Sequence, residues 1–297
     1  MKVVSVPPTL DGRTFDRLVE ALPEGDASKV LFDARRLRWV DPMGLVGLLS
    51  AGAVVQARTG EAPLLGLPEG GEVPGYLSRM GFFREASAVF RSDSKPPSRG
   101  SGPSDVLLEI TPIKENGDIH DLVDRVQGRA GAILSRSLHY PATAVVQFSV
   151  ILSEVCQNIL EHAEAPGWVA AQVYNWTQRL GRPVLVIGVS DLGRGFRRSL
   201  ESEHAARFGD RWSDPSALEA AFIHGLTRFP DSGRGQGIQQ IRKQVRRWEG
   251  AISIRSGTAR IADVPDWDDQ EPLGSDLHPF PGAQIHIVLP ARSDDGA

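Results

Sequence analysis

The chain has 297 residues, 41% of them hydrophobic and 24% charged, with a formal net charge of −4 at pH 7. This composition is typical of a globular protein with one large domain or two ordinary ones, and the mildly acidic balance argues against nucleic acid or an anionic membrane as partner. There is no signal-peptide pattern and no apolar run near the roughly 20 residues that span a bilayer. The single cysteine, Cys156, excludes an internal disulfide framework. The sequence therefore predicts a cytoplasmic protein.

The first 90 residues alternate short apolar runs with helical patterns. Residues 42–58 have apolar residues at helical spacing, and Asp41 and Pro42 suit the N-cap and the first turn of that helix. Strands that alternate with helices over fewer than 100 residues predict a small α/β domain at 1–90. The predicted strands are 3–6, 29–33 and 63–67.

A stretch rich in Ser, Pro and Gly at 91–104 predicts a flexible linker, followed by a second domain at 105–297. Helices segregated from several strands predict an α/β sandwich in which helices cover one face of a mixed sheet. Its predicted helices are 119–138, 142–163 and 236–248, and its predicted strands are 168–176, 183–190, 251–255 and 283–289.

Three short motifs of the second domain carry candidate chemistry. In the first, Glu154 and Asn158 are four residues apart and share a helix face, which His162 continues. On one helix face, a carboxylate can serve as a general base and an amide as a metal ligand beside a phosphate chain. A solvated helix face is the alternative.

The second motif, Asp191, Gly193 and Gly195, directly follows an apolar strand. Glycines after a strand-end aspartate suit a backbone that passes close to a ligand, and an ionised carboxylate accepts hydrogen bonds from an amine such as that of adenine. An ordinary strand-to-loop turn has similar chemistry and stays open.

The third motif, Gly233, Gly235 and Gly237, opens a helix. Such a glycine-rich helix start presents N–H groups and a positive dipole end to phosphate. It lacks the Gly-Lys-Ser/Thr of the Walker loop and the tight βαβ context of the dinucleotide fingerprint.

In this order, the motifs resemble the N, G1 and G2 boxes of the Bergerat (GHKL) ATPases, which include histidine kinases, gyrases, Hsp90 chaperones, MutL proteins and anti-sigma-factor serine kinases. The resemblance covers about 105–290. It includes a closing strand at 282–290, which begins Gly-Thr in many members and has Ala283 here.

The resemblance implies a site for ATP and Mg²⁺. It implies that Glu154 polarises the attacking nucleophile, Asn158 binds Mg²⁺ and Asp191 reads adenine. It also implies that a lid at about 195–235 closes over the phosphates, with Arg234 either reaching a phosphate or solvated. The glycines implied to embrace the phosphates are Gly193, Gly195, Gly233, Gly235 and Gly237.

Residues 1–90 resemble a STAS domain, the fold of anti-sigma-factor antagonists, through the segments 30–33, 37–49 and 76–82. In regulated members a strand ends in Asp-Ser-Ser/Thr-Gly and the second hydroxyl is phosphorylated. Here the corresponding residues are Asp-Pro-Met-Gly, and Met43 has no oxygen to phosphorylate. We therefore expect a docking or dimerising surface at this module.

A histidine kinase would need a phosphoacceptor histidine on a helical hairpin, and the segment that holds His120 and His139 is short for one. A gyrase-like or MutL-like machine would need a transducer domain after Pro290. The remaining expectation is a cytoplasmic regulator similar to anti-sigma-factor serine/threonine kinases, which phosphorylates a protein partner or binds it under ATP control.

The candidate partners are a sigma factor or an antagonist-like protein, and a homodimer stays open. Two alternatives also stay open: an ATPase that drives a conformational cycle in a multi-protein stress or defence system, and a non-catalytic nucleotide sensor. The acidic segment 263–272 is expected to be a surface loop or a partner contact.

Overall fold

The structure is a computed structural model that describes residues 1–25, 29–92, 106–159, 165–176, 180–227 and 237–292. The predicted linker lies outside the described residues from 93 onward, as do His162, Gly233, Arg234 and Gly235. None of the described helices is both long and apolar enough to cross a membrane.

Residues 1–92, here called the N-terminal unit, contain a parallel sheet in the order β1-β3-β5, with helices around it. Strands β2 and β4 pair separately. The helix predicted at 42–58 is present, and the Asp41 carboxylate caps it by accepting a 2.8 Å hydrogen bond from the Gly44 N–H. The elements are β1 (Lys2–Ser5), β2 (Thr9–Leu10), α1 (Phe15–Glu20), β3 (Val30–Asp33), β4 (Trp39–Val40), α2 (Pro42–Thr59), β5 (Leu64–Gly66), α3 (Glu72–Arg79) and α4 (Phe82–Val89).

The rest of the described chain is built on a seven-stranded sheet in the order β11-β10-β9-β12-β8-β7-β6. Its elements are β6 (Val106–Ile113), α5 (Asn116–Ser137), α6 (Ala142–Asn158), β7 (Gly167–Trp176), β8 (Arg182–Asp191), α7 (Gly195–Phe208), α8 (Asp214–Phe222), α9 (Gly237–Arg247), β9 (Ala251–Gly257), β10 (Ala259–Asp263), β11 (Leu273–Gly274) and β12 (Phe280–Pro290).

The prediction of a mixed sheet was wrong, because every described pair of neighbouring strands is antiparallel. Strands β7 and β8, like β9 and β10, are joined by short connections that reverse the chain. Strands β8 and β9 are joined through helices and run in the same direction, but β12 lies between them and pairs antiparallel with both. The helical crossover therefore produces no parallel neighbours.

The prediction that helices cover one face of the sheet was incomplete. The inward side chains Leu185, Ile187 and Val189 of β8 pack in one core with α5, α6, α8 and α9. The opposite face is covered by α2 of the N-terminal unit, where a Cβ on Gly188 would lie 2.3 Å from the backbone nitrogen of Met43. The continuous apolar run of β8 reflects this burial on both faces.

Polar contacts fix the N-terminal unit on that face. The Asp16 carboxylate accepts hydrogen bonds from the guanidinium groups of Arg255 at 2.7 Å and Arg260 at 2.6 Å. The hydroxyls of Ser50 and Ser190 lie 2.8 Å apart. The buried polar partners therefore define one docking position for the unit.

The acidic segment 263–272 also contacts the N-terminal unit. The Arg13 guanidinium forms ion pairs with Asp268 and Asp269. From the same segment, the Trp267 indole N–H donates a 2.7 Å hydrogen bond to the Glu249 carbonyl. As expected for a surface loop, the segment is at least partly exposed, and a contact with another protein stays a prediction.

Candidate functional site

A pocket lies between the end of α6, the ends of β8 and β12, and the start of α7. It encloses about 420 Å³, including the part that is open to solvent. Most of the wall is apolar, and three side chains bring polar atoms to it. The lining residues are Val155, Asn158, Ile159, Val189, Asp191, Gly195, Phe196, Ser199, Ala283 and Ile285.

The carboxylate of Asp191 is buried in this apolar wall, and the residue is only 6% exposed. Burial raises the pKa of Asp191 to about 7, because the ionised form loses hydration. Hydrogen bonds from the backbone N–H groups of Gly193, at 2.8 Å, and of Ala283 act in the opposite direction and favour the ionised form. A carboxyl group that titrates near neutral pH in a pocket is typical of a functional site.

Gly282 allows the closing strand to approach Asp191. Its φ is +72°, and a Cβ at this position would lie 2.1 Å from the Asp191 carbonyl oxygen. The Gly282 carbonyl also accepts a 2.8 Å hydrogen bond from the Ser256 hydroxyl, which in turn accepts one from the Phe196 N–H at 3.1 Å. The roles of Ser256 and Phe196 could not be predicted from the sequence, since no local pattern indicates a contact between β9 and the start of α7.

Ala283, from the closing strand, lies beside Asp191. It lines the pocket, and its N–H bonds the carboxylate. The side chain of this residue is a methyl group, so the position where the resembled family often has threonine offers no hydroxyl here.

The two residues of the first motif lie one helical turn apart on α6 but have different surroundings. Asn158 lines the pocket, and its Nδ2 atom is buried with no hydrogen-bond partner among the described residues. A buried amide without a partner is costly, so this atom marks a position where a ligand group would be stabilising. Glu154 lies against the start of α9, where a Cβ on Gly237 would be 2.5 Å from its Oε2.

The structure therefore places six of the predicted site residues around one pocket. Asn158, Asp191 and Gly195 line it, and Gly193 bonds the Asp191 carboxylate. Glu154 and Gly237 meet one helical turn from Asn158. The other three predicted site residues, Gly233, Arg234 and Gly235, lie outside the described residues.

Two further features bear on the chemistry of the site. Within the described ranges, no group of three or more His, Cys, Asp or Glu residues could hold a metal ion. Cys156 is fully buried, and burial raises its thiol pKa to about 12. It is therefore a packing residue and not a nucleophile.

No model of a known protein family matches the chain, and no curated protein matches it either. Its function is therefore inferred from the residues of the pocket.

Proposed function

We propose that this protein binds ATP with Mg²⁺ in the pocket beside α6 and acts as a regulator similar to the anti-sigma-factor kinases of the Bergerat (GHKL) type. The observation that carries the proposal is the buried Asp191 carboxylate at an otherwise apolar wall. Adenine matches both features, because its flat ring is apolar on its faces and its exocyclic amine donates to a carboxylate.

The ionisation of Asp191 gives the proposal a pH signature. Only the ionised carboxylate is purely an acceptor, so an adenine amine stabilises that form and competes with protonation. Because the pKa of Asp191 is raised to about 7, ATP affinity should be nearly constant above pH 7. Below that pH, it should fall by up to about tenfold per pH unit.

The Asn158 side chain fits the role of a Mg²⁺ ligand. Its amide oxygen is a ligand type that this cation takes, and its unpaired buried Nδ2 atom, a hydrogen-bond donor, suits a neighbouring phosphate oxygen. In the described part of the chain there is no acidic cluster to hold the ion alone, so phosphate oxygens and water would supply the other ligands. The bound ion would neutralise charge on the phosphates.

We expect Glu154 to act on a phosphoryl acceptor. Its carboxylate lies against the first residue of α9, and a helix N-terminus favours negatively charged groups such as phosphate. A carboxylate between the Asn158 turn and that helix end would orient an acceptor hydroxyl or a water molecule. This position favours phosphoryl transfer over simple nucleotide sensing.

We do not expect the N-terminal unit of the same chain to accept the phosphoryl group. Met43, at the position of the STAS phosphorylation site, is 2% exposed, and its backbone packs on Gly188 on the face of the sheet opposite the pocket. An acceptor would therefore be on another protein, such as an antagonist-like protein or a sigma factor. ATP-gated binding of such a partner is the other form of the same proposal.

Calorimetric titration with ATP and Mg²⁺ tests the adenine site. We expect Asp191→Asn to weaken ATP binding at least tenfold at pH 8, since the amide cannot reproduce the charged acceptor. Asp263→Asn is a matched control, because Asp263, on β10, pairs with Arg242 of α9 and does not line the pocket. If Asp191→Asn binds ATP as tightly as the unaltered protein, the adenine assignment is wrong.

Incubation with γ-labelled ATP and Mg²⁺, with and without proteins encoded beside this one, tests the chemistry. Label on a partner supports the kinase, whereas release of phosphate alone supports an ATPase. Glu154→Gln should stop either reaction while ATP affinity stays within about threefold. Binding without turnover would support the nucleotide sensor in place of the kinase.

A further inference from the structure

A second, larger cleft lies on the other side of the segment that carries Gly193 and Gly195. It separates the C-terminal half of α2 from the first turn of α7 and encloses about 1480 Å³, including the part open to solvent. Its apolar floor includes Leu192, Phe280 and Pro281. The cleft is thus formed jointly by the N-terminal unit and the large sheet.

Positive charge predominates at the cleft. Its lining includes four arginines, one from α2 and three from the start of α7, against the two carboxylates of Glu201 and Asp214. The carboxylate of Asp214 is already engaged, since it accepts hydrogen bonds from the N–H and the hydroxyl of Thr258. The arginines are Arg58, Arg194, Arg197 and Arg198.

The start of α7 is electrostatically unfavourable as it stands. The first turn of this 14-residue helix contains no acidic residue, although the N-terminal end of a helix favours negative charge. Arg197 and Arg198 are exposed there, and neither has an ion-pair partner among the described residues. A bound anion would relieve both the mutual repulsion of the arginines and their clash with the helix dipole.

We propose that this cleft is a second ligand site, which binds a phosphate group carried either by a small molecule or by a phosphorylated side chain. Guanidinium groups match phosphate because they donate paired, planar hydrogen bonds to its oxygens. The apolar floor suits the carbon atoms adjacent to that phosphate. The site is separate from the nucleotide pocket, and the proposal does not depend on the pocket binding ATP.

The cleft and the nucleotide pocket share one wall. Gly195 lines both, and the N–H of Gly193, on the same segment, bonds the Asp191 carboxylate. A ligand that draws Arg197 and Arg198 together therefore acts on the segment that holds the adenine-reading group. If the cleft ligand changes the affinity for ATP, ATP must change the affinity for the cleft ligand by the same factor.

The test uses calorimetric titration of the full chain with two probes, pyrophosphate and a leucine-flanked phosphoserine peptide. We expect saturable binding of at least one probe and a loss of at least tenfold in Arg197→Gln/Arg198→Gln. A matched control is Arg246→Gln/Arg247→Gln, an adjacent arginine pair in the last turn of α9, which should leave binding unchanged. Preference for the peptide over its unphosphorylated form would assign the phosphate to a protein.

Asp191→Asn separates this proposal from the nucleotide pocket. Pyrophosphate or peptide binding should persist in this variant, even where ATP binding is lost. The proposal is overturned if neither probe binds, if the α9 control pair lowers affinity as much as the α7 pair, or if affinity for the probes is lost in Asp191→Asn.

Discussion

The seven-stranded sheet is buried on both faces, but the two faces are held by different chemistry. Along β8, Leu185, Ile187 and Val189 face the layer of α5, α6 and α9 and belong to a wholly apolar core. The residues between them face the N-terminal unit, where Gly188 meets the α2 backbone and Ser190 contacts the Ser50 hydroxyl. Ile110 and Ala170 also pack in the core of the N-terminal unit on that face, so the second face combines apolar packing with buried polar contacts.

The neighbouring strands repeat this difference. Gln172, Ser253, Arg255 and Gln284 are buried polar residues that alternate with the apolar core residues of β7, β9 and β12. Apolar packing is non-directional and stabilises many arrangements, whereas buried polar groups are stable only with their particular partners. The face covered by α5, α6 and α9 therefore forms the pocket, while the buried polar groups of the other face specify how the N-terminal unit docks.

Gly188→Ala should break the docking face most severely. The added Cβ would lie 2.3 Å from the Met43 backbone nitrogen and 2.5 Å from its Cα, and backbone atoms at a helix start cannot move aside independently. We expect the free energy of unfolding to fall by roughly 4 kcal/mol or more. Urea denaturation gives this value, and hydrogen exchange of the α2 amides shows whether the unit has separated.

Gly128→Ala is the control for that change. Gly128 lies within α5, and an added Cβ would meet no atom within 4 Å. We expect stabilisation by about 0.5–1 kcal/mol, because alanine is the better helix former. Equal effects of the two substitutions would contradict the close approach of α2 to the sheet.

Asp191 is the exception on the apolar face, and it should make stability depend on pH. Its pKa is raised from 3.8 to about 7, so between these values the folded protein holds a proton that the unfolded chain has released. This contribution to stability is fully present below pH 3.8 and is lost as pH rises to about 7. By pH 7 to 8, we expect Asp191→Asn to be more stable than the unaltered protein by up to ~4 kcal/mol.

Urea denaturation of both proteins from pH 4 to pH 8 measures the difference, in which the contributions of other groups cancel. The difference should increase up to about pH 7 and then level off. A difference that is independent of pH would show that Asp191 is ionised throughout, and the pH signature proposed for ATP affinity would then be wrong as well.

Asp16→Asn tests the charged part of the docking face. It leaves Arg255, whose side chain is 4% exposed, without its carboxylate partner, and a buried charge that loses its partner is strongly destabilising. We expect a loss of ~3 kcal/mol in the free energy of unfolding. Asp33→Asn is the control, because it removes the more exposed pair with Arg35 and should cost no more than about 1 kcal/mol. Similar losses would contradict a specific role for Asp16.

Elements with strong periodicity could be predicted from the sequence. Strands β7 and β8 and helix α9 lie within about a residue of their expected bounds. Strand β6 was missed because it contains Pro112, which is unusual within a strand but tolerated at the sheet edge that β6 occupies. Helices α7 and α8 were missed because their region is polar and punctuated by glycine.

Part of the pocket could be predicted because some of its residues form local sequence patterns. The spacing of Glu154 and Asn158 and the strand-end position of Asp191 are local features, and the structure brings these residues close to one another. The contacts of Ser256 and Gly282 around the pocket, and the docking of α2, join residues far apart in the chain. No local pattern indicates that Ser50 meets a residue 140 positions away.

Among the substitutions on the docking face, those that remove the hydroxyls of Ser50 and Ser190 have the smallest expected effect. Both residues are fully buried, and their oxygens lie 2.8 Å apart. We expect Ser50→Ala or Ser190→Ala alone to cost about 1–2 kcal/mol in the free energy of unfolding, since each leaves one buried hydroxyl without its partner. The double variant should cost less than the sum of the two, because it removes both groups together. Urea denaturation of the four proteins gives the coupling energy, and additive losses would show that the two hydroxyls do not bond.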